Sequence, residues 1–297
     1  GRWWGGVYGW GFTVTVPQTG ELAHRTYWHV RGLYGFGNGL LLSGDQRYVD
    51  TWRGVIDHIN ANQRMIDGQT MWPRAYGDYF GTPDWYDFKP TPFDSGALEV
   101  YYWSMKPDDL RLVPNDPWVN YLQGKNPSYP AEALRADLAQ VRHRNHLMRT
   151  DPTTPDTRLS DDPNHINPAV TESLTQLMLG GLPTGRTGAT LHCRLRYFDP
   201  ARQRSGLPED VAALVEKLTA DEAVVTLVNI SQVHERSVTV QGGAYAEHQF
   251  RSVRLGERTI PLDAPSFTLD LAPGCGCTLH LKMERYANPP TFAMPWD

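Results

Sequence analysis

VVTLVNI at 224–230, RSVTVQ at 236–241, HQFRSVRL at 248–255, SFTLDLAPG at 266–274 and CTLHLKM at 277–283 decide the fold class of this chain. Each run alternates apolar and polar residues between Gly, Pro or Asp, the pattern of antiparallel strands with one face on a core. Just before them, Pro208–Leu218 reads as a short helix. Ahead of about residue 188 the composition changes and helical patterning takes over. The expectation is an α+β, multidomain chain, with a helical portion over 1–188 and an antiparallel β domain over 189–297. Its tail, ANPPTFAMPWD, holds three prolines and should pack back irregularly.

In the helical portion, Glu21–Ser43 sets Ala23, Tyr27, Val30, Tyr34 and Leu41 near a helical period. Gly32, Gly35, Gly37 and Gly39 would each weaken an exposed helix by about 1 kcal/mol, so their recurrence predicts close packing on a neighbouring helix. Gly44-Asp45 breaks the chain, and a second helix from about Gln46 places Tyr48, Trp52, Val55 and Ile59 on one face. The segment 67–94 reads as a long loop of Gly, Pro, Asp and rings, and a loop of that length in a compact protein is usually functional. Helices return at 95–105 and at 131–148, where Leu134, Leu138, Val141 and Met148 share a face. The last helix is expected to start at Asn167-Pro168 and to stop at Gly180-Gly181.

At 297 residues the chain exceeds one typical domain, and its formal net charge is −5. It carries no Lys/Arg-rich run, which argues against a nucleic-acid partner. No apolar stretch reaches the roughly 18 residues of a membrane span. Cys193, Cys275 and Cys277 supply too few ligands for a zinc site, and the C-G-C spacing is too close for an ordinary bridge, so all three read as buried or half-buried. His143 and His146 lie one turn apart among Arg142, Arg144 and Arg149, cationic company that suits a solvated helix face and not a metal. GLYGFGNG at 32–39 follows no strand and lacks a dinucleotide fingerprint. No metal and no cofactor is expected.

Nearly all the Trp and Tyr lies early, in Trp3, Trp4, Tyr8 and Trp10, in Tyr27, Trp28 and Tyr34, and in Trp72, Tyr76, Tyr79, Trp85 and Tyr86. Flat rings beside polar groups suit stacking on something flat and hydroxylated, such as a sugar.

Two features together resemble the six-hairpin (α/α)6-toroid carbohydrate-active enzymes. One is LLLSGDQRYVDTWRGVI at 40–56, like the Gly-Asp-x-x-Tyr turns between consecutive helices of that ring; Gly44 takes the turn, Asp45 caps the next helix and Tyr48 anchors it. The other is SFTLDLAPGCGCTLHLKM at 266–283, which looks like the small β-sandwich trailing the toroid. About six helices are countable where a closed toroid needs twelve, so the resemblance implies the C-terminal part of such an enzyme. A preceding segment or companion chain would complete it, and a secreted or periplasmic bacterial enzyme is the type implied.

A glycoside hydrolase acting on a polysaccharide or oligosaccharide is the leading expectation. Hydrolysis needs a proton-donating carboxyl and a second carboxylate, and WPRAYGDYFGTPDWYDF at 72–88 offers Asp78, Asp84 and Asp87 among rings. Asp beside Gly and Pro is also an ordinary turn residue. Trp3, Trp4, Trp10, Trp72, Trp85, Tyr86 and His165 are the candidate glycan-binding residues. Toroid-type polysaccharide lyases, which use Tyr, His and Arg on a uronate, are the rival; Tyr76, Arg74 and His24 would supply those parts, with His24, Tyr27 and Arg31 on one helical face. A non-catalytic glycan-binding protein is the third reading.

Overall fold

The computed structural model describes residues 25–27, 30–77, 84–152, 167–183 and 190–297. They are mixed helix and antiparallel sheet, and they divide into two compact units. One falls within Gly1–Pro114, Arg186–Thr190 and Arg285–Thr291; the other falls within Asn115–Gly185, Leu191–Glu284 and Phe292–Asp297. The composition change near 188 lies between the helices and the strands of the second unit.

In the first unit, strand β1 (Arg25–Tyr27) precedes helices α1 (Val30–Ser43) and α2 (Arg47–Asn60). The expected helix from Glu21 therefore begins later. Because Tyr27 is in a strand and Arg31 in a helix, no single helical face joins them. The turn between α1 and α2 is built as the sequence implies. Gly44 has φ +69 and its N–H reaches the Leu40 carbonyl at 2.7 Å, while the Asp45 side chain accepts from the Arg47 N–H at 2.9 Å.

The buried stripe of α2 is Val49, Trp52, Ile56 and Ile59, shifted round the helix from the expected one. Tyr48 is 38% exposed and not a core anchor. Its ring lies over Gly39, where an added Cβ would come within 2.6 Å of it, and it meets Phe36 edge-on at 6.4 Å. The close helix approach read from the glycines is thus made at Gly39. Helix α3 (Ala97–Ser104) is fixed to α2 through side chains that serve the backbone between them. Trp52 Nε1 donates to the Ser95 carbonyl at 3.0 Å, and Asn60 both donates to the Phe93 carbonyl at 2.9 Å and accepts from its N–H at 2.7 Å. A 3-10 helix, Pro107–Leu112, follows.

The 67–94 segment is not one irregular loop. Strands β2 (Arg64–Ile66) and β3 (Gln69–Met71) form a hairpin turned by Asp67 and Gly68, with φ +49 and +77. An Asp-Gly pair between two short strands is a strong hairpin signal, because both turn positions need positive φ. Strands β4 (Ala75–Gly77) and β5 (Asp84–Tyr86) join β1 in a three-stranded antiparallel sheet, ordered β1-β4-β5. The helical portion therefore contains sheet as well.

The second unit opens with α4 (Pro117–Leu122), α5 (Tyr129–Thr150) and α6 (Glu172–Leu179). α6 begins five residues after the expected Asn167, whose side chain instead accepts from the Ala169 N–H at 3.0 Å in a local turn. It stops where expected, at a left-handed Gly180. The strands that follow are β6 (Leu195–Asp199), β7 (Arg204–Ser205), β8 (Val211–Leu218), β9 (Glu222–Asn229), β10 (Arg236–Gly242), β11 (Gln249–Leu255), β12 (Arg258–Ala264), β13 (Ser266–Leu271) and β14 (Gly276–Glu284). They form antiparallel sheets ordered β13-β10-β6-β7 and β12-β11-β14-β9-β8.

Alternating side chains fill the core between the sheets: Val238 and Val240 from one, Val225, Leu227, Leu279 and Leu281 from the other. Phe250 of β11 meets Phe267 of β13 edge-on at 5.3 Å. The buried Asn229 at the end of β9 donates to the carbonyls of His234 (2.8 Å) and Leu271 (3.0 Å) and accepts from the Ser231 N–H (3.0 Å). At the far edge lies β12, mostly exposed and carrying Pro261.

Val211–Leu218 is a strand, not the expected helix, and the reason is a β-bulge. β8 pairs with β9 from Val211↔Asn229 to Leu218↔Ala223, with a register shift between Val215 and Lys217. The shift lets Val215 and Leu218, three residues apart, both be buried. That gives a strand the spacing of a helix. Two smaller corrections concern cysteine and the tail. Cys193 is buried and Cys277 half-buried as expected, but Cys275 is exposed. The tail is irregular and returns to its unit through Trp296, edge-on to Phe198 at 5.8 Å.

Candidate functional site

Strand pairing assembles the sequence-predicted residues of the first unit. Register sets Tyr76 of β4 opposite Trp85 of β5, and the rings lie 5.2 Å apart at 59°. Trp85 also meets His58, from the last turn of α2, at 5.6 Å. Tyr76 is 39% exposed and His58 is exposed as well, so the three rings form a face open to solvent. Trp72, half-buried, is held by a two-way backbone bridge to Lys89, 2.8 Å in each direction. Tyr86 is half-buried on β5.

The charged candidates are engaged in structure. Asp84 takes both terminal nitrogens of Arg64, one at 3.0 Å, and accepts from the Trp85 N–H at 2.8 Å. Arg64, first, and that N–H hold its carboxyl below the ordinary range, so Asp84 is a carboxylate and carries no proton to give. Asp87 sits at φ +56 and pairs with Lys89 at 3.0 Å, as a turn residue does. Arg74 grips the backbone, donating to the carbonyls of Thr91 (2.8 Å) and Pro92 (3.1 Å), with Phe93 beneath its guanidinium at 5.8 Å. It clamps the 91–93 turn. Asp78, His24, His165, Trp3, Trp4 and Trp10 lie outside the described residues.

The sequence reading missed a different carboxyl. Glu99 stands in the first turn of α3, in SGALEVYYW, and is half-buried. Burial pushes its carboxyl above the usual value, opposed only by its own backbone N–H. A helix N-terminus favours a charged carboxylate, but here desolvation wins. The signal that could have found it is an acid within ALEVYYW, where every other residue is apolar or aromatic.

Next to this region lies a buried ionic network. Arg53 holds Asp109 with two parallel hydrogen bonds (2.6 and 2.7 Å) and also reaches Asp50, while Ser104 donates to Asp109 at 2.5 Å. It lines an open cavity of about 650 Å³ together with Lys106 and Arg111. Arg111 pairs with Asp57 and Lys106 with Asp50, so the cations there are already matched. Among the described residues no group of His, Cys, Asp and Glu is placed to hold a metal ion, and no helix is long and apolar enough to cross a membrane.

A family model described as a domain of unknown function (DUF8034) matches residues 112–175, which span α4, α5 and the start of α6. No curated protein and no solved structure matches the chain.

Proposed function

We propose that this is a carbohydrate-active protein that holds a glycan against the Tyr76–Trp85–His58 face, and that its reaction is glycoside hydrolysis. The observation that carries the reading is the solvent-facing ring cluster, whose members come from two strands and a helix and whose geometry is fixed by strand register. The proton donor assigned on this reading is Glu99, a half-buried carboxyl of the same unit that burial raises where Arg64 lowers Asp84. On this reading the helical hairpin at Gly44-Asp45 belongs to a partial (α/α) toroid, the two sheets to its trailing β-sandwich, and a preceding segment or companion chain completes the ring. A secreted or periplasmic location fits the same reading.

One observation favours a second reading, a non-catalytic glycan-binding protein: Asp84 and Asp87 are both tied to cations. The lyase reading is weaker, since the Arg74 guanidinium is committed to backbone carbonyls. The deciding experiment is reducing-sugar release from a panel of polysaccharides, run beside retention on the same polysaccharides. Release that is lost in Glu99→Gln supports the hydrolase; retention without release supports the binder. Neither release nor retention overturns both.

A further inference from the structure

We infer that α5 is one half of a helix pair whose other half is an acidic amphipathic helix of a partner protein. Three features of α5 carry this, and none depends on the glycan reading.

The first is exposure. α5 has 22 residues, about 33 Å of helix at 1.5 Å per residue, and not one of them is buried. Leu134, Leu138 and Met148 are 43%, 48% and 49% exposed. The helix touches its own unit along an adjoining strip, where Tyr129 donates to Gln176 (2.6 Å) and Arg144 to the carbonyls of Asn167 (3.0 Å) and Ala169 (3.2 Å), and Val141 and Asn145 are half-buried.

The second is spacing. Leu134, Leu138, Val141, Asn145 and Met148 advance by four, three, four and three residues. That is the seam of a two-stranded coiled coil, with Leu134, Val141 and Met148 at one core position and Leu138 and Asn145 at the other. A single Asn in such a seam costs stability but selects register and a two-helix state. The stripe is narrow and free of aromatics, unlike the broad apolar face of a helix lying in a membrane surface.

The third is charge. The position following each Leu134-type residue is an arginine: Arg135, Arg142 and Arg149. These flank the seam at heptad spacing, and no ion pair of the described residues engages them. In a self-pair, parallel helices would set Arg144 against Arg149 and only Asp137 against Arg142 in compensation, and antiparallel ones would set Arg142 against its own copy. Both arrangements set like charges together. A partner with Glu at its flanking positions matches all three arginines.

The probe is a synthetic helical peptide with Leu at its seam, one Asn, and Glu at every flanking position; a twin carries Lys at those positions. Fluorescence anisotropy against the full chain should give saturable binding of the Glu peptide, at least tenfold tighter than the Lys peptide, and weakening as salt rises. Leu138→Glu should reduce it at least tenfold. Joint reversal of Arg135, Arg142 and Arg149 to Glu should switch preference to the Lys peptide, and this exposed triple change keeps a readout if Leu138→Glu disturbs folding. Equal binding of both peptides, or of neither, overturns the inference. So does concentration-dependent self-association in sedimentation that Leu138→Glu abolishes, which assigns the face to a second copy. Binding to vesicles of anionic phospholipid in place of the peptide overturns it in favour of a membrane surface.

Discussion

Arg53 and Asp109 meet fork to carboxylate, at 2.6 and 2.7 Å, with the acid almost wholly out of water. Burial alone would push the Asp109 carboxyl up, but the hydrogen bonds from Arg53 and Ser104 outweigh it and hold it below the ordinary value. Breaking such a pair strands a charge in a poorly solvated place. Asp109→Ala should therefore cost about 3–5 kcal/mol. Asp84→Ala, which breaks the exposed pair with Arg64, should cost far less. Denaturant midpoints of the two variants provide the comparison, and equal losses would contradict it.

Glu247 should make the protein lose stability as pH rises. Its carboxyl is buried, accepts from the Ala244 and Tyr245 N–H groups (3.2 and 2.7 Å), and burial raises it to about 7 from 4.5. A raised value in the folded state favours folding fully below pH 4.5, and that contribution fades as pH climbs through about 7. His192 runs the opposite way. Burial lowers it to about 4 from 6.5, so its contribution is complete above 6.5 and fades as pH falls through about 4. Between pH 5 and 8 the two groups oppose each other, so Glu247→Gln leaves His192 unopposed, and its melting temperature should rise from pH 5 to pH 8 relative to that of the native chain.

Gly242→Ala should destabilise without any loss of buried apolar area. A Cβ there would come within 2.7 Å of the His248 carbonyl, a backbone atom that cannot swing aside. A loss of about 1–3 kcal/mol is expected from overpacking. Gly39→Ala should cost less, since the atoms it meets belong to the half-exposed Tyr48 ring. Thermal unfolding of the two variants ranks them.

Trp85→Ala should weaken glycan retention at least tenfold, because it removes the ring that both Tyr76 and His58 meet. Asp84→Asn should leave any sugar release within about threefold, since a permanent carboxylate is no proton donor. Release assays on both variants are decisive, and a 100-fold loss in Asp84→Asn would make that residue the second carboxylate of the reaction.

Much of the fold is written locally. β9, β10, β11, β13 and β14 follow the alternating runs, and the Gly44-Asp45 turn follows from what Gly and Asp do at a helix start. Where reading fails, two competing periods coincide: the bulge near Glu216 gives β8 a helical spacing that only pairing with β9 resolves. The Asp67-Gly68 hairpin was legible, yet rings and acids around it read as a loop. The site divides in the same way. Tyr76 and Trp85 are adjacent because register makes them so, whereas the tethers on Asp84 and Arg74 come from Arg64 and Thr91, residues that no spacing rule connects to them.

Strand β12 closes one side of the five-stranded sheet, and among the described residues no strand pairs with its outer backbone. Such a margin is an invitation to a strand from another molecule. Pro261 sits in its middle and has no N–H to offer on either side, and Arg258 and Asp263 bracket it with charge. The protein's resistance to joining edge to edge at high concentration would then rest on one imino acid and the two charges beside it. Pro261→Thr would turn a guarded border into a template for fibres.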